Sequence, residues 1–322
     1  MRAIRAARFA ATASISDSTH SPTRCVSDAE PSRCTNCNES GARLIPHPRE
    51  LLGRYDLRPK KRLGQNFLMD GGAAARIARL TIENPSDTPE DFRVLEIGAG
   101  TGALTLALHA LHADLTVIEI DADMVRILRE REDLRDVPVE HADAMTFDYA
   151  RFAAGRPWRV AGNLPYNVAT PLVLNFVEMD GGPQTIVAMI QKDVADRLIA
   201  KPGTPAYGSL SVAAQYLMRI ERAFTLGPGV FYPRPKVDST VVRLTRLARP
   251  AAPVRDLTRF RQVVRGAFAY RRKTLANSLA LALGVRRVDV ADALERIGLD
   301  TEIRGEQLSI ADFARLTDAL VP

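Results

Sequence analysis

The chain has 322 residues, of which 46% are hydrophobic and 25% are charged. These ordinary values exclude collagen-like, disulfide-scaffold and wholly disordered proteins. No run approaches eighteen apolar residues, so the sequence predicts no membrane span. The 3 cysteines favour a reducing compartment, and the net charge of +6 suggests a polyanionic partner.

The positive charge is concentrated at the two ends of the chain. Residues 1–58 carry a net +3, residues 59–245 a net −2, and residues 246–322 a net +5. This pattern fits a central domain that handles a small cofactor between basic segments that contact a polyanion. The alternative is that arginine is simply frequent in this sequence.

Residues 1–58 are predicted to form an N-terminal extension without stable structure. Small and polar residues dominate residues 1–50, and prolines interrupt any helix there. Arg2, Arg5 and Arg8 stand among alanines with no acid, which weakly resembles an organellar transit peptide. The body of the sequence looks bacterial, so we expect a cytoplasmic protein, and the arginine-rich start keeps a mitochondrial location as the alternative. A flexible extension without a targeting role, or a misassigned start codon, explains the same residues equally well.

The cysteines all lie in this extension. Cys34 and Cys37 form a C-x-x-C pair, and Cys25 and His47 are near enough in sequence to complete a Cys₃His zinc site. The spacings are irregular and a second C-x-x-C pair is missing. We therefore predict no metal and an unstructured tail.

From Arg93 onwards, short apolar strands alternate with helices. Strands are predicted at 93–97, 114–120, 137–140, 158–161 and 185–190, and helices at 101–112, from Asp121 onwards and from 191 to 199. This alternation predicts a parallel sheet covered on both faces. Two further strands at 222–226 and 240–247 lack a helical crossover, so they are expected to form an antiparallel hairpin.

After residue 247 the strand signals stop. Helices are predicted at 257–268, 274–283, 288–297 and 310–320. The sequence thus predicts an α/β protein with a Rossmann-like sheet domain over residues 59–247. A small all-α domain over residues 248–322 follows, and its basic charge suits a polyanionic partner; the family resemblance described below implies that this is an RNA-docking domain.

A glycine-rich turn, Gly98-Ala-Gly-Thr-Gly102, follows the first strand and opens a helix. Glycines allow close approach of a ligand, and the helix start offers free N–H groups. The G-x-G-x-G spacing lacks the third glycine of the dinucleotide fingerprint. Glu119 ends the second strand, where it can accept ribose hydroxyls, and Asp143 follows the third, where it can meet an adenine amine. An NAD site needs only the first acid, so the pair indicates S-adenosylmethionine.

The segment Asn163-Leu-Pro-Tyr166 follows the fourth strand, at the same sheet edge as the glycine turn. The N6 of adenine is a poor nucleophile because its lone pair is delocalised into the ring. The Asn163 side-chain oxygen and the Leu164 carbonyl can accept hydrogen bonds from the two N6–H groups, which would pyramidalise the nitrogen and free its lone pair. Pro165 would stiffen the turn and Tyr166 would stack on an extruded base. The alternative is a capping asparagine and a packing tyrosine.

From about Pro59 to the C-terminus the sequence resembles the ribosomal RNA adenine-N6 dimethyltransferase family. The segments that carry the resemblance are Lys61-Arg-Leu-Gly-Gln-Asn-Phe-Leu68, Val160-Ala-Gly-Asn-Leu-Pro-Tyr-Asn167, Gln191-Lys192, Ala206-Tyr-Gly-Ser-Leu-Ser211, Phe231-Tyr-Pro-Arg-Pro-Lys-Val-Asp-Ser239 and Arg271-Arg-Lys-Thr274. The chain departs from the family at Ala99, where proline is frequent, and at Tyr232, where a small residue is usual. The larger Tyr232 side chain is expected to narrow or extend the RNA-facing rim.

The resemblance implies dimethylation of N6 on two adjacent adenosines near the 3′ end of 16S rRNA. The partner would be the small ribosomal subunit or its precursor, and the enzyme a monomer. By resemblance, Asn66 and Leu68 close over the cofactor, Gly98 contacts it, and Glu119 holds its ribose. Asp143 would hold the adenine amine and Asn163 would lie beside the methyl group; these expected cofactor contacts are Asn66, Leu68, Gly98, Glu119, Asp143 and Asn163.

The expected RNA contacts are Phe231, on the rim of the site, and the basic run Arg271, Arg272 and Lys273. The alternative for the run is a solvated helix end. Three other functions stay open: a 23S rRNA adenine methyltransferase that confers macrolide resistance, a DNA adenine methylase, and a ribosome-assembly factor that acts mainly by binding. The first shares the GQNFL segment, and the second usually carries an acidic D-P-P-Y motif.

Overall fold

The computed structural model describes residues 46–83, 91–111 and 113–320. The helices in these ranges are α1 (Pro48–Arg54), α2 (Gly71–Ile82), α3 (Ala103–His109), α4 (Ala122–Glu130), α5 (Tyr149–Ala153), α6 (Ala169–Glu178), α7 (Lys192–Ile199), α8 (Ser209–Leu217), α9 (Leu257–Ala267), α10 (Leu275–Leu283), α11 (Arg287–Arg296) and α12 (Ile310–Ala319). The strands are β1 (Phe67–Leu68), β2 (Arg93–Ile97), β3 (Asp114–Glu119), β4 (Val139–His141), β5 (Trp158–Asn163), β6 (Thr185–Gln191), β7 (Met218–Leu226), β8 (Phe231–Tyr232) and β9 (Ser239–Arg246). None of these helices is both long and apolar enough to cross a bilayer.

Seven strands form the main sheet in the order β4-β3-β2-β5-β6-β9-β7. The first five are parallel, and β9 runs antiparallel to both β6 and β7. The predicted parallel sheet and antiparallel hairpin are therefore both confirmed. Helices α2 to α4 pack on one face and α5 to α8 on the other, which makes a three-layer Rossmann-like sandwich.

Local sequence explains why these elements begin where they do. Asp121 caps α4 by accepting a hydrogen bond from the Asp123 N–H at 3.1 Å. The predicted helix at 101–112 begins two residues later, at Ala103, because Gly102 adopts a left-handed φ of +85° immediately before it. The helix starts and the strand ends then lie together at the carboxyl edge of the parallel strands.

The C-terminal helices have a core of their own that also includes residues of the sheet domain. Phe260 of α9 and Phe313 of α12 pack with Tyr216 of α8. The Tyr207 hydroxyl donates to the Leu308 carbonyl at 2.9 Å. The described residues between 46 and 320 form one compact unit. The boundary between residues 247 and 248 falls in the loop between β9 and α9 and stays a prediction.

The prediction that residues 1–58 lack stable structure is wrong at its C-terminal end. Residues 48–54 form α1, with Pro48 in its first turn, and the Nδ1 of His47 accepts the Arg49 N–H at 3.1 Å. The Leu51–Leu52 pair is buried and packs on the sheet domain. Because α1 has only 7 residues and lies near the prolines, its hydrophobic periodicity is too short to predict a helix from the sequence. Residues 1–45, with Cys25, Cys34 and Cys37, lie outside the described residues.

Candidate functional site

A cavity of about 200 Å³ opens at the carboxyl ends of the parallel strands. It is lined by every residue predicted to bind the cofactor or to act in catalysis: Asn66, Leu68, Gly98, Glu119, Asp143, Asn163, Leu164, Pro165 and Tyr166. The structure thus brings together segments that are up to 100 positions apart in sequence. The roles of the individual residues remain predictions.

The glycine turn forms one wall of the cavity. Gly100 has a φ of +55°, and a Cβ there would lie 2.7 Å from the Phe67 ring. Gly98 has a φ of +68°, and its added Cβ would lie 3.9 Å from the Asn163 carbonyl and from Pro165. A side chain at Gly98 would therefore fill the space between the glycine turn and the Asn163–Tyr166 turn.

Glu119 is held rigidly at the end of β3. Its Oε2 accepts the Gly100 N–H at 2.9 Å, and its Oε1 accepts the Asp121 N–H at 3.0 Å. Burial raises the pKa of this carboxyl, and the two backbone hydrogen bonds act against that rise. Each carboxylate oxygen keeps a further lone pair, so the carboxylate can also accept hydroxyl groups of a ligand.

Glu96 is a functional candidate that the sequence analysis missed. It lies between Leu95 and Ile97 in strand β2, is 1% exposed and lines the cavity. Its Oε2 has no hydrogen-bond partner among the described residues. Burial, with the nearby Glu119 carboxylate adding to it, raises the pKa of Glu96 to about 8. A lone acid in a buried strand was the signal available in the sequence.

Asp143 lies on the exposed loop that follows β4. Its Oδ1 accepts the Met145 N–H at 2.8 Å, and the Ala142 N–H donates to the Glu119 carbonyl at 3.0 Å. The Tyr149 hydroxyl donates to the Ala144 carbonyl, which ties the loop to the core. These bonds keep the Asp143 loop beside the end of β3.

The orientation of the Asn163 amide follows from its partner. The Asn163 Nδ2 donates to the Asn66 carbonyl at 2.7 Å. A carbonyl oxygen only accepts, so the amide nitrogen must face Asn66 and the Oδ1 must point away from it. The side-chain oxygen is therefore the atom that can accept a hydrogen bond from a ligand.

The rest of the turn is equally fixed. The Leu164 N–H donates to the Met189 carbonyl at 3.1 Å, and the Pro165 carbonyl accepts the Ala169 N–H at 3.0 Å at the start of α6. The Tyr166 and Ser239 hydroxyls lie 2.8 Å apart. Burial raises the pKa of Tyr166, whereas the Ser239 bond acts against that rise. Tyr166 therefore presents a neutral, anchored ring to the cavity.

Two expectations about the RNA rim need correction. Phe231 is only 1% exposed, because it pairs with Leu68 and packs in the core, so we reassign it from RNA contact to support of the site. Tyr232 packs against the Leu51–Leu52 cluster rather than shaping the RNA rim. The departure from the family at this position thus accompanies the contact with α1.

The basic run between α9 and α10 divides into two roles. Arg271 donates to the Pro205 carbonyl at 2.9 Å and lies 3.8 Å from the Glu306 carboxylate, so it ties two loops together. Arg272 and Lys273 are exposed. The last two side chains are therefore the better candidates for phosphate contact. In the described part of the chain, no cluster of three or more His, Cys, Asp or Glu side chains is arranged to hold a metal ion.

The parallel sheet, the glycine turn and the two acids at successive strand ends define a Rossmann-like S-adenosylmethionine-dependent methyltransferase fold. A family model described as ribosomal RNA adenine dimethylase matches residues 57–321. The chain belongs to this family.

Similar proteins agree with this assignment. The chain is 43% identical over 261 residues to "Ribosomal RNA small subunit methyltransferase A" of Hahella chejuensis, covering 80% of this chain and 92% of that protein. It is 42% identical over 268 residues to the protein of the same name from Pseudomonas aeruginosa, covering 83% and 96%. The crystal structure of the 23S rRNA methyltransferase ErmE is similar with a TM-score of 0.60, 28% identity, and 79% and 99% coverage. A dimethyladenosine transferase from Plasmodium falciparum shares the fold, with a TM-score of 0.64, 24% identity, and 78% and 95% coverage.

Proposed function

We propose that this protein transfers methyl groups from S-adenosylmethionine to N6 of two adjacent adenosines near the 3′ end of 16S rRNA. The observation that carries the proposal is the fixed Asn163 amide, whose Oδ1 points away from Asn66 in a cavity shared with Glu119 and Asp143. An acceptor in that place suits an amine that carries two protons. It has no evident use for a substrate without hydrogen-bond donors.

The residues around the cavity fit S-adenosylmethionine. The glycine turn leaves space beside Gly98, and the buried Glu96 Oε2 lacks a partner among the described residues. Glu119 would hold the ribose hydroxyls and Asp143 the adenine amine, while Asn66 and Leu68 would cover the ligand. When bound, the cofactor supplies an electrophilic methyl group on a sulfonium.

The protein's own contribution is to orient the adenine amine. Asn163 Oδ1 and the Leu164 carbonyl would accept hydrogen bonds from the two N6–H groups, which turns the nitrogen lone pair out of conjugation with the ring. The Leu164 N–H donates to the Met189 carbonyl, which holds this turn in place before the base enters. A methylated N6 loses its proton readily, so no strong general base is required. The Tyr166 ring, anchored on Ser239, would stack on the extruded base.

The small subunit, or its precursor, is the better RNA partner than the large one. The two relatives named for small-subunit methylation are 42–43% identical over 80–83% of this chain, whereas the 23S enzyme is 28% identical. The basic C-terminal helices supply a surface for RNA phosphates. We also propose that the enzyme acts as a monomer in the cytoplasm; a mitochondrial location is the alternative.

The test is methylation of small and large subunits that lack the modification, with labelled S-adenosylmethionine, followed by mapping of the labelled adenosines. We expect two adjacent dimethylated adenosines near the 3′ end of 16S rRNA. Label confined to 23S rRNA would favour the macrolide-resistance activity instead. Tight binding to the precursor particle without label would favour an assembly factor that acts by binding.

A further inference from the structure

Residues 60–68 are here called the strap: residues 63–68 line the cavity, and the segment is anchored at its first residue. The Lys60 Nζ lies 2.5 Å from Asp121 Oδ1 and 2.6 Å from Asp123 Oδ2. The Gln65 Nε2 donates to Asp121 Oδ2 at 2.6 Å. The Lys60 N–H in turn donates to the Gln65 side-chain oxygen at 2.7 Å. Both oxygens of Asp121 are therefore engaged by the strap.

Asp121 also connects the strap to the predicted ribose site. Its own N–H donates to Glu119 Oε1 at 3.0 Å. Its side chain is 1% exposed, yet it is charge-balanced by Lys60. Burial acts to raise the pKa of Asp121, but hydrogen bonds from Lys60 and Gln65 outweigh it and hold the pKa below its usual value. The residue is therefore ionised at neutral pH.

The other end of the strap holds the Asn163 amide. The Asn66 carbonyl, next to Gln65, accepts the Asn163 Nδ2 at 2.7 Å. Phe67 and Leu68 then pair with β8. A continuous path of short contacts thus leads from Glu119 through Asp121, Gln65 and Asn66 to Asn163.

We infer that Asp121 is a positioning residue that fixes the strap over the cavity and so sets the Asn163 amide relative to Glu119. This inference rests on the proposed methyl transfer. Capping of α4 alone does not account for the arrangement. A cap needs one oxygen for the Asp123 N–H, and asparagine caps as well as aspartate does. The strap instead uses both oxygens and the charge.

The test is the Asp121→Asn variant. Asp121 Oδ1 accepts both the Asp123 N–H and the Lys60 ammonium, so an asparagine that keeps the cap must place its NH₂ group against the Gln65 amide nitrogen, which also donates. Losing such a charged hydrogen bond is expected to lower the single-turnover methylation rate about tenfold or more at saturating RNA and cofactor. Some loss of melting temperature is expected from the unpaired donors, but well below the melting transition RNA affinity should stay close to wild type while the rate falls, which simple loss of folded protein would not produce.

Two further variants separate positioning from folding. Gln65→Ala removes the hydrogen bond from Gln65 to Asp121 Oδ2 without touching the α4 cap. It should therefore lower the methylation rate in the same way, even if Asp121→Asn folds poorly. Its effect should not add to that of Asp121→Asn, because both break one path. Asp123→Asn is the matched control: it weakens only the second partner of Lys60 and should change the rate less than about threefold.

Trypsin supplies a readout that does not depend on catalysis. Lys60, Lys61 and Arg62 lie in the strap, so Asp121→Asn and Gln65→Ala should be cut there several-fold faster than wild type. Wild-type cleavage and rates in both variants would overturn the inference. If the variants are cut faster but the wild-type protein methylates neither subunit, Asp121 still fixes the strap and the proposed function is overturned.

Discussion

Replacing Asn163 by alanine tests the centre of the proposed mechanism. The change removes the side-chain oxygen aimed away from Asn66, and also the donor that the Asn66 carbonyl accepts at 2.7 Å. Losing one preorganised polar contact at a reacting centre costs roughly 10²–10³ in rate. Asn163 is half-buried, so the unpaired Asn66 carbonyl should lower the free energy of unfolding by only about 1 kcal/mol.

The assay is a single-turnover measurement with labelled cofactor on small subunits that lack the modification. Binding of the same variant to the subunits is measured alongside and should equal that of wild type. Asn163→Asp is the informative comparison, because it keeps one acceptor oxygen but places the other against the Asn66 carbonyl. We expect it to be impaired as well. An alanine variant with a tenth or more of the wild-type rate would refute the role of Asn163.

Four further expectations concern the rest of the molecule. Glu119→Ala should weaken cofactor binding by about 1.5–3 kcal/mol in a calorimetric titration, with unchanged affinity removing the residue from the site. Because burial raises the pKa of Glu96 to about 8, the folded protein holds this proton more tightly than the unfolded chain does. The stability that the proton contributes is complete below the unfolded pKa near 4.5 and is lost as pH rises through about 8. In thermal unfolding, Glu96→Gln should therefore be less pH-sensitive than wild type across that window. A chain without residues 1–45 should fold and methylate normally, whereas removing residues 46–56 as well should lower the free energy of unfolding by about 3 kcal/mol or more, because two buried leucines are lost. Arg272→Ala with Lys273→Ala should flatten the log–log salt dependence of subunit binding by about 1–2 units at unchanged cofactor affinity, and an unaltered slope would identify the pair as solvated side chains.

The sequence by itself determined the sheet, the glycine turn and the positions of the acids. Short apolar runs that alternate with helical periodicity specify a parallel sheet, whose strand ends must share one edge. Glu119, Asp143 and Asn163 each follow or end a strand, so their meeting in one cavity was predictable without coordinates. The information was local, and the topology of parallel strands converted it into proximity.

The tertiary structure decided the features that depend on partners distant in sequence. Lys60 and Asp121 are separated by 61 positions, and Asn66 and Asn163 by 97. No periodicity or motif spacing specifies such pairs, because they exist only after separate elements have packed. The same holds for the burial of Phe231, which looked like a rim residue but pairs with Leu68. Local chemistry thus identified Glu119, Asp143 and Asn163 as residues that line the cavity but missed Glu96. Packing alone fixed the direction in which the Asn163 amide and the strap face the cavity.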